Sequence, residues 1–415
     1  MSQKISEIIN GKRVILKKPE LLAPAGNLEK LKIAVMYGAD AVFIGGREYG
    51  LRSGADNFSI EDMTEGVKFA NGYGAKIYVT TNIFAHNENI PGLEEYLRSI
   101  EGTGVTGIIV ADPLIIETCK KVAPILEIHL STQQSLTNWK AVQYWKEQGL
   151  HRVVLARETG FHEIKEMKEK VDIEIESFIH GAMCIAYSGR CTLSNHMTAR
   201  DSNRGGCCQS CRWDYDLYNG EEQQFEEGEL PFAMSPKDLN LIHSITKMIE
   251  IGIDSLKIEG RMKSIHYIAT VVSVYRKIID TYCADPDNFV FDDNWVKELD
   301  KCANRDTASS FFEGTPDHMQ QMFGVHSKKT TFDFAGQVID YDPETKIVTL
   351  QQRNYFKPGS KIEFFGPKID HFSQTVGILW DEDGNEIDKA RHPLMIVKFK
   401  VDNPLYPNDM MRKEL

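Results

Sequence analysis

PELLAPAGNLEKLKIAVMYGADAVFIGG, residues 19–46, holds two apolar runs of strand length, ELLAPA and AVFIG. Between them lies NLEKLKIAVMYG, which has a helical period and ends in glycine. Strand, helix and strand in so short a stretch form a βαβ unit, whose two strands lie parallel. The pattern then repeats. Apolar runs recur at 76–81 (KIYVTT), 107–112 (GIIVAD), 127–132 (EIHLST), 152–157 (RVVLAR), 172–180 (DIEIESFIH) and 255–260 (SLKIEG), with amphipathic stretches such as NWKAVQYWKEQG between them. Eight such strands, apolar on both faces, predict a closed, TIM-like (β/α)8 parallel barrel. An open doubly wound sheet is the alternative, but neither GxGxxG nor GxxxxGK[ST] follows the first strand.

The barrel is expected within residues 1–303. The gap between His180 and Ser255 exceeds one helix and its loops, so an insertion rich in cysteine, 184–230, is expected after strand seven. Residues 304–330 read as a linker. From 331 to 415 alternation with frequent turn residues (FAGQVIDYD, PETK, IVTLQQRN) predicts a small, separable all-β domain, barrel-like. Lys357, Lys361, Arg391 and Lys398, with Tyr355 and Phe356, are the basic and aromatic side chains of this domain that would suit backbone contact and base stacking if its partner is a nucleic acid.

Of 415 residues, 42% are apolar and 26% charged, as in an ordinary soluble globular chain, and the formal charge of −12 argues against broad attraction to nucleic acid or anionic membrane. No apolar run approaches the ~20 residues of a membrane-spanning helix. The first residues, MSQKISEIINGKR, carry charge where an export signal needs an apolar stretch. A cytoplasmic protein with no membrane partner is expected.

Of the eight cysteines, Cys184, Cys191, Cys207, Cys208 and Cys211 crowd into ESFIHGAMCIAYSGRCTLSNHMTARDSNRGGCCQSCRW, residues 176–213. Four thiolates are the usual complement of an iron–sulfur cluster or a structural zinc. The spacing is irregular and a second CxxC is missing, which favours a cluster over zinc. Cys207 and Cys208 are adjacent and do not readily share one metal, so Cys208 is a rival to Cys207 as third ligand. Buried thiols without a metal are the bland alternative, and it is the one that suits Cys119, Cys283 and Cys302. The same segment carries Arg190, Arg200, Arg204 and Arg212 against a single acid, Asp201, a patch suited to phosphate or a dicarboxylate, or merely to bracing the loop.

Polar residues gather at the C-terminal ends of the expected strands, where barrels of this kind place their active sites. They include Thr80 to Asn82, Ser131 to Gln133, Arg157, Glu176, His180, Glu259 and Arg261. Of these, Arg157, Glu176, His180, Glu259 and Arg261 are the candidate catalytic residues, because a charge on an apolar strand is costly unless paired or used. Peptidase motifs fail: His162 and Glu163 begin HExxE rather than HExxH, and no GxSxG occurs.

ESFIHGAMCIAYSGRCTLS closely resembles the signature of the collagenase-like peptidases, family thirty-two of those of unknown catalytic type. PELLAPAGNLEKLKIAVMYGADAVFIGG, HLSTQQSLTN, SPKDL and KIEGRMK resemble that family too, from about Pro19 to the end of the chain. The likeness is greatest to its tRNA-hydroxylating branch. It implies oxygen-independent hydroxylation of wobble uridine to 5-hydroxyuridine, a [4Fe-4S] cluster on Cys184, Cys191, Cys207 and Cys211, and prephenate as co-substrate. The tRNA anticodon loop, and a homo- or hetero-oligomer with a paralogue, are the partners it suggests. A metal- or thiol-dependent peptidase and a zinc-stabilised RNA-binding scaffold are the competing functions.

Overall fold

The computed structural model describes residues 5–9, 11–51, 56–218, 232–322 and 330–415. All eight expected strands are present: β1 (Glu20–Pro24), β2 (Ala41–Gly45), β3 (Lys76–Thr81), β4 (Gly107–Val110), β5 (Glu127–Leu130), β6 (Arg152–Val154), β7 (Glu174–Gly181) and β8 (Ser255–Ile258). Each pairs in parallel with the next, and β8 closes the barrel by pairing with both β7 (Ser255 opposite Glu176) and β1 (Ser255 opposite Glu20). A hairpin of Ser6–Ile9 and Lys12–Ile15 precedes the barrel.

Helices α1 (Leu28–Met36), α2 (Ile60–Asn71), α3 (Leu93–Gly102), α4 (Pro113–Val122), α5 (Trp139–Glu147) and α6 (Phe161–Lys170) link successive strands. Their starts follow from the sequence. Asn27 accepts from the Lys30 N–H, and Ser59 with Asp62 forms a reciprocal capping box at α2. A short α7 (Leu193–Thr198) lies in the cysteine-rich insertion, followed by α8 (Ile245–Glu250), the long α9 (Ile265–Ala284) and α10 (Asn294–Asp300). The insertion departs after β7, although residues 219–230 of the expected span fall outside the described ones. No described helix is long and apolar enough to cross a membrane.

The lower barrel is filled by charge rather than by aliphatic layers. Arg152 on β6 is nearly inaccessible and reaches Glu20 on β1 at 2.6 Å and Glu174 and Glu176 on β7 at 2.8 and 3.2 Å. Lys257 on β8 holds the other oxygen of Glu176 at 2.7 Å, and the Tyr78 hydroxyl donates to Glu20 at 2.8 Å. Burial alone would raise the Glu176 carboxyl, but Lys257 and Arg152 outweigh it and hold that pKa below the usual carboxylate range.

The expected linker is not one over most of its length. Arg305 is buried, bonding Asp238 at 2.9 Å and Ser235 at 2.7 Å; Thr307–Ala308 pairs with Asp238–Asn240, and Gln321–Met322 with Ser235–Pro236. Residues 304–322 therefore belong to the barrel domain, and 323–329 lie outside the described residues.

The C-terminal domain comprises β9 (Phe332–Asp342), β10 (Ile347–Gln352), β11 (Lys361–Gly366), β12 (Ile369–Thr375), β13 (Leu379–Asp381), β14 (Glu386–Ile387), β15 (Ile396–Lys400) and β16 (Met410–Glu414). They form one sheet in the order β12-β11-β16-β9-β10-β15-β13-β14, curled around a core that includes Val338, Leu350, Phe364 and Phe399. Among the described residues its two end strands do not pair, so the barrel-like expectation becomes an open, curled sheet. Phe356 is wholly buried in that core and is no platform for a base, whereas Tyr355 is exposed.

This domain is docked rather than loosely attached. Arg412 on β16 is fully buried, 2.5 Å from Glu298 on α10, and bonded through Nε to Glu363 at 3.0 Å. Phe365 and Met410 pack into the barrel domain's core, and the Tyr37 hydroxyl donates to the Asn408 carbonyl at 2.9 Å. Ring stacking joins His266 on α9 to Phe334 on β9, centroids 5.4 Å apart. Burial, then the nearby Arg412, pushes the His266 pKa down to about 3. The unfolded chain accepts that proton near the ordinary 6.5, so stability is lost as pH falls below 6.5, by about 1.4 kcal/mol per unit of difference, until the folded group also titrates. Thermal melts at pH 7.5 and 5.0 should therefore show a smaller acid loss for His266→Phe than for the parent.

Candidate active site at the barrel mouth

A cavity of about 210 Å³ opens at the C-terminal ends of the strands. Its floor comes from β8 and β7, where residues two apart along a strand share a face. Lys257 and Glu259 line it, with Phe178 from β7; the Lys257 ammonium sits 4.4 Å from the Phe43 ring centroid and 5.3 Å from that of Phe178. Arg157 lies 3.9 Å from the Phe178 centroid and 3.6 Å from Glu259. Arg261 is buried, donating to Thr80 at 3.0 Å and Asn57 at 2.6 Å. Gly45 makes room for it, since a Cβ there would fall 2.1 Å from the Arg261 Nη2.

The cysteine loop forms one wall. Gly189 adopts φ +73, and a Cβ on it would fall 2.1 Å from the Gln133 carbonyl oxygen, so the loop rests directly on the turn Thr132–Gln134. Ser188 fastens it further, donating from its N–H (3.1 Å) and its hydroxyl (2.8 Å) to the two oxygens of Glu158. The Cys191 carbonyl accepts from Ser202 at 2.5 Å and from Asn203 at 3.2 Å.

Cys184, Cys191, Cys207 and Cys211 all line the cavity. Cys208 does not: its sulfur turns to Ser194 and Thr198 of α7, at 3.4 and 3.6 Å, and those hydrogen bonds draw its pKa down to about 7. The rival third ligand thus faces away. Burial pushes the Cys211 thiol up to about 11 and also raises Cys184, and the other three thiols of the set add to the rise at Cys211. Cys184 and Cys211 thus resist ionisation, a preference that a nearby cation reverses. Four thiolates on one zinc, with Zn–S near 2.3 Å, stand about 3.8 Å apart. Among the described residues no three of these thiols lie within 4.8 Å of one another, wider than that spacing.

Arg157, Glu259 and Arg261 border the cavity as expected, whereas Glu176 and His180 do not. Glu176 lies beneath the floor in the Arg152 and Lys257 network. His180 should share the inward face of Glu174, Glu176 and Phe178, but β7 bulges where Phe178 pairs with Lys257 and His180 with the very next residue, Ile258. Ile179 is the extra residue, and His180 falls outside the barrel. Its Nδ1 is 3.1 Å from the Tyr275 hydroxyl on α9, and burial pulls its pKa down to about 4. Lys257 was missed; its place two residues from Glu259 was the available signal. Of the basic patch, Arg204 pairs with Glu88 and Arg212 lies 3.8 Å from Asp238, while Arg190 and Arg200 are exposed.

Residues 26–322 match Peptidase family U32, and 330–412 match the Peptidase family U32 C-terminal domain. The chain belongs to family U32. This U32 protein is 74% identical over 417 residues, covering 100% of itself and 99% of the relative, to tRNA hydroxylation protein P1 of Bacillus subtilis. It is 33% identical to tRNA hydroxylation protein P of Escherichia coli, over 87% of this chain and 90% of the relative. To the 23S rRNA 5-hydroxycytidine C2501 synthase of Escherichia coli it is 37% identical, over 63% of this chain and 39% of that protein.

Proposed function

We propose that this U32 protein hydroxylates the wobble uridine of tRNA to 5-hydroxyuridine without oxygen, with a [4Fe-4S] cluster on Cys184, Cys191, Cys207 and Cys211 and prephenate as co-substrate. The observation that carries this is the convergence of those four thiols on one wall of a cavity at the barrel mouth. The relatives support it: two are tRNA hydroxylation proteins, and the rRNA enzyme makes 5-hydroxycytidine, a hydroxyl on the same ring position. A cluster supplies one-electron or Lewis-acid chemistry beside the base. Arg157, Arg261 and Lys257 supply the cations a dicarboxylate needs, and Glu259 is placed to hold a proton. An anticodon-loop base is already accessible, so extruding it into the cavity costs little. The exposed Arg190 and Arg200 suit phosphate.

A peptidase finds less here. No histidine lines the cavity among the described residues, and Ser188, its hydroxyl nearest a carboxylate, is spent on fastening the loop to Glu158.

The test is 5-hydroxyuridine in tRNA from a strain deleted for this protein and any paralogue. The wild-type gene should restore it. Arg261→Ala should lower it at least tenfold with iron content unchanged, because Arg261 borders the cavity while its guanidinium bonds Thr80 and Asn57. A strain fully modified without any copy would end the proposal.

A further inference from the structure

Two side-chain amides meet among the residues that line the cavity. Asn82, just past β3, donates from Nδ2 to the Oε1 of Gln133, just past β5, at 2.8 Å. The Ser131 hydroxyl donates to the same Oε1 at 3.0 Å, while the Gln133 backbone N–H donates to Ser131 Oγ at 3.4 Å. With one lone pair taken by that N–H, the hydroxyl hydrogen remains for Oε1, the assignment in which Asn82 and Ser131 both donate to the Gln133 oxygen.

The other two amide atoms are left over. Asn82 Oδ1 and Gln133 Nε2, on two residues that line the cavity, are buried and have no hydrogen-bond partner among the described residues, and Gln133 as a whole is only 7% exposed. Buried polar atoms are almost always satisfied, so an acceptor and a donor left over together call for a ligand. A complementary ligand must offer a donor next to an acceptor on one planar edge. The cavity's 210 Å³ is the liquid share of about seven waters, room for a single base-sized ring.

We propose that Asn82 and Gln133 read the Watson–Crick edge of the target uridine. Asn82 Oδ1 accepts from N3–H and Gln133 Nε2 donates to an adjacent carbonyl oxygen. This rests on the tRNA hydroxylase reading and adds to it the basis of base choice. Cytidine presents an acceptor at N3 and a donor at N4, so acceptor would face acceptor and donor would face donor. The uracil of 3-methyluridine has lost its N3 donor and gained bulk at the same atom.

The experiment titrates the metal-loaded protein, purified without air, with anticodon stem-loops carrying uridine, cytidine or 3-methyluridine at the target position. The wild type should bind the uridine form about tenfold or more tightly than either other form, the range of a good bidentate base contact. Gln133→Glu, whose carboxylate only accepts, and Gln133→Met should erase that preference with iron content unchanged, binding being measured well below the Tm of each variant. Equal Kd values for uridine and 3-methyluridine in the wild type overturn the inference, as does a preference retained in both variants. Restoration of 5-hydroxyuridine in the deletion strain is read separately. A protein that modifies tRNA but shows no preference refutes the amide pair alone, and one that neither modifies nor binds refutes the hydroxylase reading with it.

Discussion

Replacing Arg152 by methionine should destabilise the barrel by about 3–5 kcal/mol, the usual cost of removing one partner from a buried ion network. Three carboxylates, on Glu20, Glu174 and Glu176, share this guanidinium, which is nearly inaccessible to water. Without it, among the described residues, Glu20 keeps the hydroxyls of Tyr78 and Ser255, and Glu176 keeps Lys257 as a cation. Typical domains are stable by 5–15 kcal/mol, so the loss is a large share of the total. Urea unfolding, followed by far-UV circular dichroism, reads it directly. Adding Glu20→Gln should recover part of the loss, because the second change removes a charge that the first left unpaired. A full-strength Arg152→Met protein would mean that water reaches the network after all.

Cys191→Ser should abolish both bound iron and tRNA hydroxylation, whereas Cys208→Ser should leave both intact. The contrast is large because one sulfur lines the cavity with three others and its rival is hydrogen-bonded to α7. Iron and sulfide assays on anaerobically purified protein, beside 5-hydroxyuridine in the complemented deletion strain, measure the two effects. Iron near four per chain in the wild type fits the proposed cluster. One zinc per chain in its place would sink the cluster, and loss of metal in Cys208→Ser would show that the loop rearranges on loading.

The barrel was legible because its strands are apolar on both faces and its helices announce their caps, as Asn27 and Ser59 do. What escaped was whatever depends on partners distant in the chain. Arg305 sits in a stretch that looks like a linker until Asp238 is brought against it across 67 positions. The buried role of Arg412 needs Glu298 and Glu363, both far away in sequence, and the C-terminal domain therefore looked separable. His180 was expected at the barrel mouth, and the bulge at Ile179 shows why it lies outside. Glu176 was rightly singled out as a costly charge, yet the cost is met by Arg152 and Lys257. Adjacent cysteines are alike in a sequence; backbone direction separates Cys207 from Cys208.

The seat of Gly189 on the Gln133 carbonyl joins the loop proposed to hold the metal and the turn proposed to read the base into one mechanical piece. Whatever rearranges the first shifts the second. A copy that has lost its metal would then also lose its grip on tRNA and let it go, instead of holding it idle. In a cell where damaged and intact copies coexist, the damaged ones would not act as decoys, and the modification rate would fall only in proportion to the copies lost.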